Sequence, residues 1–463
     1  MTSTPEIYLL PSSPTFTCLD RFSLHPDPDA IEDSNGHVQF WPILTDVLSQ
    51  PITSAASLVD TLETISTTLN GTTVPANDHL LLRNILEETP GFFLTIWTCI
   101  AKVALEMPVL FPKGYLPVLG RKSNEASFTR RQIACLVVHQ FLRTLRAPAW
   151  RDDGMHDFGI WYSIEQRQKS AARAYLLALA KYFRDVVAKL DGEGGWNVVY
   201  TLRSVKSMSL SEDGEGLPLA DIEIEVVAEY DTLPASLGLP GGAAVVASNK
   251  DVGFGQSATQ EEVHVGISPE ACPAVLITPR LSDDEVLVVQ GAQAMINMTG
   301  KRRDIKVATM KAPDSEEKSW RDRMMLFMDA LELDLDAKGA GLPDLQPGNV
   351  DREIRKAYTA FCSGGFRGVR TGLWGCGAFG GDPVVKVLIL WYAASLARIK
   401  LTVVCDEEIR PVAEQLDAIV SAVNGHYSFR NATDIRQLLK DGPKDLRSHQ
   451  QTALWFMNRL GAK

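Results

Sequence analysis

The hydrophobic pattern of this chain changes period part-way along, near Gly192-Glu193-Gly194-Gly195, and that change limits the folds open to it. Before it, from Trp41 to about Lys189, apolar residues recur at helical spacing. The run from Arg131 to Leu142 does so, and Ser170 to Leu190 puts Tyr175, Leu176, Leu179, Phe183 and Val187 on one stripe. After it, Asp221-Ile222-Glu223-Ile224-Glu225-Val226 alternates strictly, the mark of a strand with one wet face. Ala243 to Ala247, Val286 to Val289 and Leu401 to Val404 are short continuous apolar runs, as strands covered on both faces require. The pattern predicts helices at Trp320 to Leu333, Asp351 to Phe361 and Pro383 to Ala397. Strands alternating with helices specify an α/β layer fold. We therefore expect three parts. Residues 1–40, with Pro5, Pro11, Pro14, Pro26 and Pro28, form an extended arm on the surface. Residues 41–190 form an all-helical accessory domain. Residues 191–463 form the α/β domain, with a polar helical cover from Asp406 to Lys463.

Bulk properties narrow the function. A chain of 463 residues suggests two or three packed units, and 45% hydrophobic with 22% charged residues is an ordinary globular balance. The formal charge of -11 argues against a nucleic-acid coat, which needs a basic face, so no DNA or RNA partner is expected. It leaves room for an anion held in a pocket by backbone N–H groups. Seven cysteines (Cys18, Cys99, Cys135, Cys272, Cys362, Cys376, Cys405) are scattered and without a C-x-x-C pair, which fits free thiols in a reducing, intracellular compartment, nucleus or cytoplasm. Gly91 to Phe111 is broken by Lys102 and Glu106. Val387 to Ala397, between Lys386 and Arg398, falls well short of the ~20 apolar residues a membrane span needs. Both read as buried helices, and no membrane partner is expected.

Two stretches carry chemistry. The first runs from Asn249 through Gly253-Phe254-Gly255 to Gln260-Glu261-Glu262, from a buried strand through a glycine loop into a helix start. That arrangement presents N–H groups to a diphosphate. Its plainer reading is a turn followed by acidic residues that suit a helix dipole. The second is Thr371-Gly372-Leu373-Trp374-Gly375-Cys376-Gly377-Ala378-Phe379-Gly380-Gly381-Asp382. Its five glycines let the backbone approach a ligand closely, at an entropy cost too large for packing alone, and Phe379 adds a flat apolar wall. A third stretch, Gln132-Ile133-Ala134-Cys135-Leu136, is explained by core packing. The eight histidines show no H-E-x-x-H or similar spacing, so neither a metal nor another cofactor is expected.

Taken together, the helical Gln132 to Leu136, the loop ending in Gln260-Glu261-Glu262 and the Thr371 to Asp382 run resemble the poly(ADP-ribose) glycohydrolase family, patchily from about Phe128 to about Asp406. The resemblance implies a macrodomain-like mixed sheet flanked by helices, with a helical N-terminal domain. It implies hydrolysis of ribose–ribose bonds in poly(ADP-ribose), on poly(ADP-ribosyl)ated proteins, with release of ADP-ribose. By the same resemblance Glu262 is the acid/base, Glu261 holds ribose hydroxyls, and Gln260 and Asn249 position the reacting ribose. Gly253 and the backbone of Gly375, Cys376, Gly377, Ala378 and Phe379 cradle the diphosphate.

Adjacent carboxylates cannot flank a bond as ordinary glycosidase pairs do, because neighbours on a helix do not face each other. One acid/base is therefore expected, its pKa raised by burial and by the Glu261 charge. The chain also departs from the family. Its glycine loop is shortened to Gly253 before Phe254-Gly255. Val246, Leu373, Met298 and Val404 stand where the family has an acidic residue, Asn, Tyr and Phe. These changes keep a second reading open, a module that binds ADP-ribose or its polymer without cutting it.

Overall fold

The computed structural model of the chain describes residues 6–70, 79–120, 122–151, 154–190, 195–205, 215–301, 304–308, 317–333, 341–426, 429, 431–443, 445–446 and 448–461. Pro5, Lys463 and the Gly192 to Gly194 part of the period change lie outside them. Contacts divide the chain into two compact units. The first comprises Met1–Tyr200, Gly253–Arg280 and Gly291–Pro313, and the second Thr201–Val252, Leu281–Gln290 and Asp314–Lys463.

The first unit is mainly helical. Its helix Lys169–Asp185 buries Tyr175, Leu176, Leu179 and Phe183, the stripe expected from the sequence. The helix Arg130–Phe141 begins at a capping box. Thr129 Oγ1 accepts from the Gln132 N–H at 3.2 Å, and Gln132 Oε1 accepts from the Thr129 N–H at 3.0 Å. Every residue from Ile133 to Val138 is buried, so packing does account for this stretch. Short strands join the helices. Ile7–Leu9 pairs antiparallel with Tyr115–Pro117, and Thr17–Leu19 with His37–Gln39. The N-terminal arm is thus extended but partly tucked in, with Leu10, Phe16 and Cys18 buried.

The second unit holds a mixed sheet. Six strands lying wholly within it run in the order Glu285–Gln290, Met324–Asp329, Ala243–Ser248, Gly368–Thr371, Lys400–Asp406 and Ile222–Val227. Only the Glu285–Gln290 pairing is antiparallel; the other four are parallel. One expectation fails here. The helix predicted over Trp320 to Leu333 is a helix only at Glu317–Arg321, and Met324–Asp329 is an inner strand of the sheet. Its run Met324-Met325-Leu326-Phe327-Met328 is covered on both faces, so it is apolar throughout and carries no period. Methionine and leucine are good helix formers, which tilts a propensity reading the wrong way.

The helices Asn349–Phe361 and Pro383–Ala397 pack together in the core of this unit. Every residue from Val384 to Leu396 is buried, which at roughly 1.5–3 kcal/mol per large apolar side chain makes this helix a main source of stability. The C-terminal helices Arg410–Gly425, Ala432–Asp441 and His449–Arg459 add Leu416, Ile419, Ile435, Leu438 and Phe456 to the same core. Among the described residues no helix is long and apolar enough to cross a membrane. The neighbouring parallel strands Met324–Asp329, Ala243–Ser248 and Gly368–Thr371 all end at one edge of the sheet. Ala330, Asn249 and the Gly372 to Asp382 loop therefore leave from that edge, where ligands bind in open α/β sheets.

Candidate active site

In the first unit the expected helix start is present. The helix Gln260–Gly266 is capped by Thr259, whose side chain accepts from the Glu262 N–H at 3.3 Å. Glu262 Oε2 accepts in return from the Thr259 N–H at 3.0 Å. The two glutamates turn to different donors. Glu261 is buried, and its Oε1 accepts from the Gly253 N–H at 2.7 Å, which ties the helix to the glycine loop. Glu262 is half-buried, and burial raises its pKa; the N–H groups of Thr259, Ser257 and Ala258 oppose that rise without cancelling it. Burial is the largest cause of the rise, and the neighbouring Glu261 carboxylate is engaged by the Gly253 N–H. Gln260, half-buried, opens the helix.

The loop that carries these residues is held from beneath by aromatic rings. Trp161 Nε1 donates to the Gly255 carbonyl at 2.9 Å, and the Gln256 side chain donates to the Ile160 carbonyl. Phe254 packs 5.3 Å from the Trp161 ring and 5.4 Å from Phe158, with Phe158 stacked on Trp161 at 5.0 Å. Gly253 (φ +155°) admits no side chain, since a Cβ would lie 2.5 Å from Val275 Cγ1 and 3.1 Å from Arg151 Nη1. A Cβ on Gly255 would overlap Glu262 Oε1. Sequence reasoning did not single out Phe158 and Trp161. The cluster Phe158-Gly159-Ile160-Trp161-Tyr162, aromatic but off any helical stripe, was the signal available.

The second unit holds the other candidates. Asn249 is exposed just past the strand Ala243–Ser248, and its Oδ1 accepts from the Asp251 N–H at 3.1 Å. In the second glycine loop Trp374 is buried and donates to the Met328 carbonyl at 3.0 Å. Gly375 (φ +76°) leaves no room for a side chain, because a Cβ would lie 2.8 Å from Ala330 Cβ and 3.1 Å from Lys386 Cε. Gly377 and Ala378 are exposed, while Cys376 and Phe379 are half-buried. Burial pushes the Cys376 thiol far above the usual range, which makes it a poor nucleophile. The Phe379 carbonyl accepts from the Leu333 N–H at 2.9 Å.

A buried charge network underlies this loop. Lys386 Nζ pairs with Glu353, lies 3.6 Å from Asp344 Oδ1 and sits 5.1 Å from the Trp374 ring centroid. Asp344 accepts from the Asp382 N–H at 2.9 Å, and burial lifts its pKa to about 6. Asp382 caps the helix Pro383–Ala397 through the N–H groups of Val384 and Val385. Its other oxygen lies 2.8 Å from His449 Nδ1. Asp329 is held between Lys356 Nζ, at 2.6 Å, and Arg352. Among the described residues no group of three or more His, Cys, Asp or Glu is placed to hold a metal ion.

Comparison with known proteins decides the family. Residues 86–199 match the helical domain of poly(ADP-ribose) glycohydrolase, and residues 239–410 match its catalytic domain of macro domain fold, together more than half of the chain. The chain belongs to the poly(ADP-ribose) glycohydrolase family. It is 30% identical over 314 residues to poly(ADP-ribose) glycohydrolase 1 of Caenorhabditis elegans, covering 64% of this chain and 38% of that protein. It is 26% identical over 221 residues to poly(ADP-ribose) glycohydrolase 1 of Arabidopsis thaliana, covering 33% of this chain and 40% of that one. The chain thus spans about two fifths of the length of these relatives. A poly(ADP-ribose) glycohydrolase variant from Deinococcus radiodurans, solved with ADP-ribose, aligns at 17% identity with a TM-score of 0.30, over 47% of this chain and 91% of that one.

The departures from the glycohydrolase family pattern can now be placed. Val246 is fully buried in the strand Ala243–Ser248, opposite Phe327. Met298 is buried in a two-stranded hairpin, opposite Val307. Leu373 and Val404 are half-buried in the second unit.

Proposed function

We propose that this chain hydrolyses ribose–ribose O-glycosidic bonds in poly(ADP-ribose) and releases ADP-ribose, with Glu262 as acid/base. The observation that carries the reading is Glu262 itself, a half-buried carboxyl with a raised pKa, seated where a side chain on Gly255 would stand. Protonated Glu262 gives its proton to the leaving ribose oxygen as that oxygen takes the electron pair of the bond to the anomeric carbon. The carboxylate then takes a proton from the water that attacks that carbon. Glu261 holds the loop through Gly253 and serves the ribose hydroxyls, with Gln260 beside it. In the second unit Asn249 is the candidate ribose-side residue. The loop of Gly375, Cys376, Gly377, Ala378 and Phe379 offers its backbone to a diphosphate. Poly(ADP-ribosyl)ated proteins in the nucleus or cytoplasm would be the physiological substrates.

The test is release of free ADP-ribose from poly(ADP-ribose) in EDTA, with Glu262→Gln run alongside. Release by the parent and none by the variant, with polymer binding retained by both, supports the reading. The capping-box bond between Glu262 and Thr259 favours a second reading, in which this glutamate is only a helix cap and the protein binds polymer without cutting it. Polymer bound but uncut by the parent would establish that reading and remove the first.

A further inference from the structure

The helix Lys169–Asp185 carries a buried group that the mechanism above does not use. Tyr175 is fully buried, and among the described residues its hydroxyl has no hydrogen-bond partner. An unmet hydroxyl in a core costs stability and calls for a reason.

Its surroundings supply one. The Tyr175 ring lies against the helix Gln260–Gly266, so close that a Cβ on Gly266 would stand 2.6 Å from the ring carbon Cγ. Gly266 is one turn beyond Glu262 and on the same face of that helix. The Trp161 ring, 5.1 Å from Tyr175, donates to the carbonyl of Gly255, the residue against which the Glu262 carboxyl packs. Trp161, Gly255 and Gly266 therefore link Tyr175 to Glu262 within the first unit, and the charge of Glu262 acts on the phenol.

We propose that Tyr175 is a positioning residue for Glu262, its phenol O–H donating to the Glu262 carboxylate once that group has given up its proton. The inference rests on the acid/base reading of Glu262. Burial, and after it the Glu262 charge, hold the phenol protonated, so it remains a donor across the working pH range. The helix Gln260–Gly266 also carries Glu261 and the buried His264, and Arg151 lies against Gly253 with Glu261. The helix of Tyr175 carries Lys169, Arg173, Lys181, Arg184 and Asp185, of which Arg173 pairs with Glu88 and Lys181 with Asp185. A protonated Glu262 has no need of the phenol, whereas an ionised one does. The unmet hydroxyl thus favours the ionised form and eases proton release to the leaving oxygen.

The experiment is Tyr175→Phe in the full chain, which keeps the ring and removes the hydroxyl. We expect Tm to hold or rise, ADP-ribose binding and KM to stay unchanged, and kcat to fall about tenfold, the scale of one lost hydrogen bond to a charged group. The Glu262 carboxyl, followed by carbon-13 NMR titration with ADP-ribose present, should titrate at higher pH in the variant. An unmoved titration overturns the proposal, and a lower Tm alongside it marks the hydroxyl as merely structural. If the parent itself releases no ADP-ribose, the glycohydrolase reading fails separately, and the titration still decides the role of Tyr175.

Discussion

Glu262 Oε1 lies in the space where a side chain on residue 255 would begin. The carboxyl is the flexible end of its side chain, so a methyl group on residue 255 displaces the glutamate rather than the fold. Gly255→Ala should therefore keep a near-parental melting curve while ADP-ribose release falls about 100-fold, the scale of an ångström-sized misplacement of a reacting group. A parental rate in a time course of polymer digestion would show that Glu262 does not work from this position.

Glu261 ties its helix to Gly253. Its bond to the Gly253 N–H is charge-assisted and buried, a class worth about 1.5–3 kcal/mol. Glu261→Ala strands that N–H in the interior. It should lower Tm and weaken ADP-ribose binding together, as read by calorimetry on the same sample. Glu261→Gln, which can still accept, should lie between the variant and the parent.

The raised pKa of Glu262 fixes the sign of one pH effect. A general acid at this position, as proposed, works protonated, so kcat/KM should fall as pH rises through its pKa. That limb should lie above the ordinary glutamate value of about 4.3. A falling limb at the ordinary value, in a pH series of initial rates, would mean that burial does not tune this group.

His449 supplies a second. Its pKa is raised because it meets Asp382, so the folded state binds the proton more tightly than the unfolded chain. That contribution is fully present below the unfolded pKa of about 6.5 and is lost as pH rises through the folded one. His449→Gln should lower Tm at pH 6 and leave it unchanged at pH 9. Equal losses at both values would assign the effect to packing.

The layered fold was legible where residues face water on one side or carry a distinctive period. The stripe on Lys169–Asp185 and the alternation in Ile222–Val227 are cases of each. Met324–Asp329 was not, because a strand buried on both faces has no polar residue to mark its pitch. The glutamates and both glycine loops could be read because each is local in sequence. The ring cluster beneath the first loop could not. Trp161 and Gly255 are 94 positions apart, and no local rule joins an indole to a distant carbonyl. Lys386 was seen only as the end of an apolar run. Its ion pairs with Glu353 and Asp344 depend on two other segments meeting it.

The five glycines of the second loop have unequal freedom to vary. Around Gly372 and Gly377 a methyl group would meet no atom within 4 Å. Gly375 and Gly381 are closed off by Ala330, by the Lys386 stem and by each other, and Gly380 holds a left-handed backbone (φ +69°). Drift in this loop should therefore collect at 372 and 377, where added side chains would alter what the exposed backbone admits while the buried lysine keeps its seat. A library confined to those two positions is the economical route to changing ligand preference, and randomising the whole loop would mostly yield unfolded protein.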